Sequence, residues 1–214
     1  MKCDPKDLLL YAVTDRHWLN GRTLVDVVKE SLDGGVTMIQ LREKSLDEGK
    51  FLEEAKELQA LCRERHVPFI VNDNVDIAKA MDADGVHVGQ SDIKGRDIRA
   101  MIGPDKILGI SAGTVEEAQA AEKAGADYIG VGAVFGTSTK KNARNLSKEK
   151  LKEISSSVSI PVVAIGGINA SNVEELSGCG VDGVAVVSAI FAAEDPGAAT
   201  EHLKTLAAEM VSHE

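Results

Sequence analysis

The sequence predicts an α/β protein, a compact (β/α)8 TIM barrel of the phosphate-binding type, forming one domain over residues 1–214. Three observations predict it. Short runs of β-branched and aliphatic residues alternate with longer charged segments of helical spacing throughout the chain. The runs are apolar along their length, as parallel strands covered by helices must be. Eight such runs occur, the number that closes a barrel. A doubly wound open sheet is the competing arrangement, but no Gly-x-Gly-x-x-Gly follows the first run.

Leu8 to Val13 reads as the first strand, and Thr23 to Leu32 as a helix stopping at Gly34-Gly35. Val36 to Leu41 is the second strand. Leu46 to Arg65 is a long amphipathic helix with Leu52, Ala55, Leu58 and Leu61-Cys62 on one side. Phe69 to Val71 and Gly85 to Val88 are the third and fourth strands, Ile107 to Ile110 and Tyr128 to Val131 the fifth and sixth. Between the last two, Thr114 to Lys123 opens on a Thr cap with Glu116-Glu117 in its first turn and stops before Gly125. Ser147 to Ile154 and Ala170 to Leu176 read as further helices, flanking the seventh strand, Val162 to Ile165. Gly183 to Val187 is the eighth strand, and Pro196 to Val211 the last helix, with proline suited to its first turn. Related patterns at Ala124 to Ile129 and Gly178 to Val184 read as a repeated helix-to-strand junction.

Composition narrows the function. A formal net charge of -10 argues against nucleic acid and anionic membranes as partners. Aromatics make up only 3%, so aliphatic side chains must fill the core. Cys3, Cys62 and Cys179 are odd in number and widely spaced, which fits reduced thiols and a cytoplasmic location. Met1 to Asp7 does not resemble a signal peptide, and no apolar run approaches the roughly 20 residues of a membrane span. The oligomeric state stays open, a homodimer included.

In a barrel, chemistry sits at the C-terminal strand ends. The second strand ends Gln40-Leu41-Arg42-Glu43-Lys44. Strand alternation puts Gln40, Arg42 and Lys44 on one face, toward the barrel mouth, with Ile39 and Leu41 toward the helices. An Arg and a Lys at the mouth suit an anion; a solvated loop is the plainer alternative. Asp73 follows the third strand and Asp92 the fourth, and such carboxylates suit Mg2+ or serve as helix caps. His87 fits a satisfied core histidine better than a catalytic one. Ser111 at the fifth strand could donate to a phosphate. Inward glycines of the fifth and sixth strands would let a ligand approach the backbone. Thr137 to Arg144 is a hydroxyl-rich, cationic loop that reads as a lid, with a merely solvated loop as the alternative. Gly166-Gly167 after the seventh strand and Ser188 after the eighth match the place where barrels bind a phosphate.

Together these motifs resemble the thiamin phosphate synthase family. The resemblance rests on QLREK at Gln40 to Lys44, VNDN at Val71 to Asn74, ADGVHVGQSD at Ala83 to Asp92, and LGISAGT at Leu108 to Thr114. It continues through TSTKK from Thr137, AIGGIN at Ala164 to Asn169, and GVAVVSAI at Gly183 to Ile190. It implies a transferase joining hydroxymethylpyrimidine diphosphate to a thiazole phosphate, with release of diphosphate. Residues Gln40, Leu41, Arg42, Glu43, Lys44 and Asn72 would hold the pyrimidine diphosphate, and Asp73 and Asp92 would ligate Mg2+. Ser111 and Lys140 would contact the pyrimidine or its diphosphate, Thr137, Ser138 and Thr139 the thiazole. Gly167, Val187 and Ser188 would bind the thiazole's phosphate. Arg42, Lys44, Lys140 and Ser111 would carry the catalysis.

Two positions depart from the family pattern: Gly113, where many relatives have histidine, and Gly136, where many have proline. A thiazole tautomerase on a similar barrel would have lost the metal and diphosphate residues. A phosphosugar isomerase would need a paired acid and base that the sequence does not offer. A non-catalytic sensor of the same precursors would show no turnover.

Overall fold

The computed structural model describes residues 3–43, 47–136 and 145–212. Eight parallel strands close into a barrel in sequence order: β1 (Leu10–Val13), β2 (Met38–Leu41), β3 (Phe69–Asn72), β4 (Gly85–Val88), β5 (Ile107–Ala112), β6 (Tyr128–Gly132), β7 (Val162–Ile165) and β8 (Gly183–Val186). The pairing of β1 with β8, Tyr11 opposite Ala185, makes the closure. Around it run α1 (Leu24–Asp33), α2 (Glu48–Glu64), α3 (Val75–Ala80), α4 (Ile98–Ile102), α5 (Val115–Lys123), α6 (Lys148–Ser155), α7 (Ser188–Phe191) and α8 (Pro196–Ser212). No helix among the described residues is long and apolar enough to cross a membrane.

Most of the helices begin where hydroxyl, carboxamide or carboxylate side chains satisfy a first-turn N–H group. Thr23 accepts from Asp26 N–H, Thr114 from Glu117 N–H, and Ser147 from Lys150 N–H. The expected helix over 170–176 is instead a single 3-10 turn, Val173–Leu176. Asn169 explains the difference: its side-chain oxygen accepts from both the N–H and the hydroxyl of Ser171. That local turn consumes the residues a helix would have used.

Strand alternation divides the core in two. Outward residues such as Ala12, Ile39, Leu41, Val71, Val86 and Ile129 pack with the helices. Inward residues Tyr11, Met38, Ile70, Ile107, Tyr128 and Val163 fill the barrel, with Cys3 and Leu8 packed among them. All three cysteines are buried. Burying one large aliphatic side chain contributes roughly 1.5–3 kcal/mol, so the two layers hold the strand ends firmly in place.

Candidate functional site

The C-terminal strand ends surround one cavity of about 1160 Å³. Ligand pockets run roughly 300–1,000 Å³, so there is space for two small reactants. Its floor is polar, because the inward rule of the strands is broken at Gln40 and His87, both buried. Each is satisfied. Gln40 Nε2 donates to the Tyr11 hydroxyl at 2.6 Å. His87 places Nδ1 at 2.9 Å from the Tyr128 hydroxyl and Nε2 at 2.9 Å from Ser111 Oγ. Burial pushes both tyrosine hydroxyls well above their ordinary range, so they stay protonated.

The β2 end delivers Arg42 to the cavity as the alternation predicts. Its guanidinium is held by Asp15 at 3.1 Å, and Thr14 Oγ1 accepts from its backbone N–H. Leu41 and Glu43 do not reach the cavity. Leu41 is fully buried against the helices, and the Glu43 carboxylate turns aside to take Arg16, which also pairs with Glu54. The pleat that brings Arg42 inward sends its neighbours the other way. Lys44, Thr137, Ser138, Thr139 and Lys140 lie outside the described residues.

Asn72, Asp73 and Asp92 line the adjoining wall. Neither aspartate is a helix cap. Asn74 caps α3 by accepting from Ile77 N–H, and Asp97 caps α4 by accepting from Ala100 N–H. Asp73 instead sits at φ +60°, a backbone conformation costly for a side-chain-bearing residue. Its N–H binds the His87 carbonyl at 2.8 Å, and its carboxylate accepts from the Asn72 amide at 3.1 Å. Asp92 accepts from Gly89 N–H at 2.9 Å.

On the opposite side, Gly167, Val187 and Ser188 also line the cavity. Ser188 opens the single turn of α7, whose first N–H groups have no preceding turn to bond. The Gly166-Gly167 pair has a reason beyond ligand approach. Both have positive φ, and a Cβ on Gly167 would overlap the Gly136 carbonyl. Loop β6 packs onto loop β7 there, with Val134 N–H bonded to Ile165 and Phe135 N–H to Gly166. Gly136 itself sits at φ +74°, which a proline cannot adopt. Gly109 also differs from its reading as space for a ligand. A Cβ there would overlap the Tyr128 phenol and stand 2.5 Å from His87 Nδ1, so the two rings already fill that space.

Three contributors escaped the sequence reading. Tyr11 enters from β1, Gln90 donates to the Ser111 carbonyl at 2.6 Å, and Glu117 accepts from Gly113 N–H at 2.7 Å. The inward parity of Tyr11 was the available signal; the other two depend on loop geometry.

A closed parallel barrel whose polar cavity opens at the C-terminal strand ends defines a TIM-barrel enzyme. The model of the thiamine monophosphate synthase family matches residues 10–190, and the chain belongs to that family. It is 49% identical to a thiamine-phosphate synthase of Clostridium tetani, covering 92% of this chain and 94% of that protein. It is 50% identical to the enzyme of that name from Methanobrevibacter smithii, over the same shares of the two chains. The solved thiamine phosphate pyrophosphorylase of Pyrococcus furiosus superposes with a TM-score of 0.88 at 45% identity, covering 96% of this chain and 98% of that one. The chain is therefore a transferase of thiamine biosynthesis.

Proposed function

We infer that the cavity joins hydroxymethylpyrimidine diphosphate to a thiazole phosphate, forming thiamin phosphate and diphosphate. The observation that carries this reading is the division of one cavity into two unlike halves. Arg42, Asn72, Asp73 and Asp92 come from the β2 to β4 ends, and Gly167 and Ser188 from the β7 and β8 ends. The first half suits a diphosphate with a cation, the second a phosphate monoester held by backbone N–H groups.

The donor set fits Mg2+. Asp73 and Asp92 offer hard oxygen ligands and are not committed as caps. Among the described residues no cluster of three or more His, Cys, Asp or Glu could hold a metal alone. Mg2+ usually takes one or two carboxylates and completes its shell with water and substrate phosphate oxygens. When bound it would neutralise charge on the diphosphate.

The C–O bond to the leaving diphosphate breaks with its electron pair going to oxygen. The pyrimidine-stabilised cation that remains is captured by the thiazole nitrogen lone pair, which forms the C–N bond. No proton needs removal, so no protein base or nucleophile is required. The chain's part is alignment and charge: Arg42 faces the anion, and Gln40 and Ser111 line the floor between the halves. His87 has both ring nitrogens facing hydroxyls, which disfavours an isomerase using it as a base.

The test combines purified protein, Mg2+ and both precursors, with thiamin phosphate and diphosphate measured together. Diphosphate release should require the thiazole partner. Equal release in its absence would make the protein a hydrolase and end this reading.

A further inference from the structure

Both tyrosines of the chain lie buried inside the barrel, and their hydroxyls meet at 2.8 Å. They are the middle of a longer series. Gln40 Nε2 stands 2.6 Å from the Tyr11 hydroxyl, Tyr128 2.9 Å from His87 Nδ1, and His87 Nε2 2.9 Å from Ser111 Oγ. The series crosses the barrel from β2 to β5 and ends at the cavity.

Donor counting gives it a direction. An amide nitrogen only donates, and a phenol has one proton to give. Gln40 therefore donates to Tyr11, Tyr11 to Tyr128, and Tyr128 to His87 Nδ1. With Nδ1 accepting, the ring proton stands on Nε2 and is donated to Ser111 Oγ. The Ser111 proton is then left over, and no acceptor among the described residues takes it.

We propose that this one-way series makes Ser111 a hydrogen-bond donor into the cavity, with Tyr11, Tyr128 and His87 as positioning residues that fix its direction. The proposal rests on the synthase reading and deepens it. The acceptor is a lone pair of the pyrimidine substrate, on a diphosphate oxygen or an unprotonated ring nitrogen. Tyr128 is fully buried and stands away from the cavity lining, so it acts only through its neighbours.

The first measurement is the 15N NMR spectrum of His87 in the wild-type protein without substrate. The expected state is the Nε2-protonated tautomer; a proton on Nδ1 would mean the series runs backward and would overturn the proposal. The second is a double-mutant cycle in turnover. Tyr128→Phe cuts the series, and kcat/KM should fall roughly 10- to 100-fold, the scale of losing an oriented donor to a charged group. Ser111→Ala added to Tyr128→Phe should then cost less than about threefold more, because the donor is already disoriented. Losses that multiply would overturn the proposal. Binding of inorganic diphosphate and of the pyrimidine alcohol to Ser111→Ala identifies the acceptor as whichever is weakened, and the proposal fails if neither is. If no thiamin phosphate forms in wild type, the synthase reading falls, while the tautomer still decides the direction of the series. It does so too if Tyr128→Phe fails to fold.

Discussion

Gly109→Ala should be among the most damaging single-methyl additions in the chain. The new Cβ would overlap the Tyr128 phenol and stand 2.5 Å from His87 Nδ1. Both rings are buried, Tyr128 completely, and neither can withdraw without losing hydrogen bonds. Overpacking of this kind costs roughly 1–3 kcal/mol. Displacing the rings leaves buried polar atoms short of partners, at about 1–3 kcal/mol for each bond lost. With at least one bond broken the total is about 2–6 kcal/mol, against a typical folding stability of about 5–15 kcal/mol. For a chain of this size each kcal/mol shifts Tm by about 2–4 °C, so Tm should fall by at least about 4 °C. The assay is urea and thermal unfolding followed by circular dichroism. Gly113→Ala is the control: its Cβ would meet Glu117 Oε2 at 3.5 Å, an ordinary contact, and its stability should change by less than about 1 kcal/mol. If Gly109→Ala matched that control, the rings would not fill the space as described, and the reasoning would fail.

Asp73→Asn and Asp92→Asn should each slow turnover roughly 10- to 1000-fold while leaving the melting curve in place, and added Mg2+ should partly restore them; full wild-type activity in EDTA would count against the metal reading. Ser188→Ala should raise KM for the thiazole phosphate more than it lowers kcat, because it weakens a holding contact; an unchanged KM would remove Ser188 from the phosphate site. Alkaline stability follows from the buried thiols. Burial pushes Cys3 and Cys62 up to about 12 from 9.0. Between pH 9 and 12 the unfolded chain has then lost protons that the folded chain retains. Stability is full below pH 9 and falls as pH rises, by up to about 1.4 kcal/mol per pH unit per thiol. Cys62→Ala should flatten that slope in pH-dependent urea titrations, and an unaltered slope would show that burial there is not the cause.

The eight strands were legible because they carry their own rule. An apolar run bounded by turn residues needs no knowledge of its partners, and β4 and β7 begin and end where the sequence places them. Helices α3 and α4 escaped because six and five residues are too short to display a period, although Asn74 and Asp97 stood ready as caps. The site divides along the same physical line. Arg42 follows from strand parity, and so does its neighbours' turn away from the mouth, though the motif resemblance carried Leu41 and Glu43 into the site with it. What strand parity cannot supply is the identity of whatever faces a residue across the barrel. Gly109 reads as open space from β5 alone; its space belongs to Tyr128 and His87, which arrive from β6 and β4. Tyr11 and Tyr128 meet across 117 positions of sequence. The usable clue was scarcity. A chain with two tyrosines that places both on inward strand positions must find partners for two buried hydroxyls. The polar residues able to meet them from inside apolar strands are Gln40 and His87, where the inward rule breaks. Those breaks lie on the floor of the cavity, beside Ser111, because a core that needed only stability would have placed aliphatic side chains there.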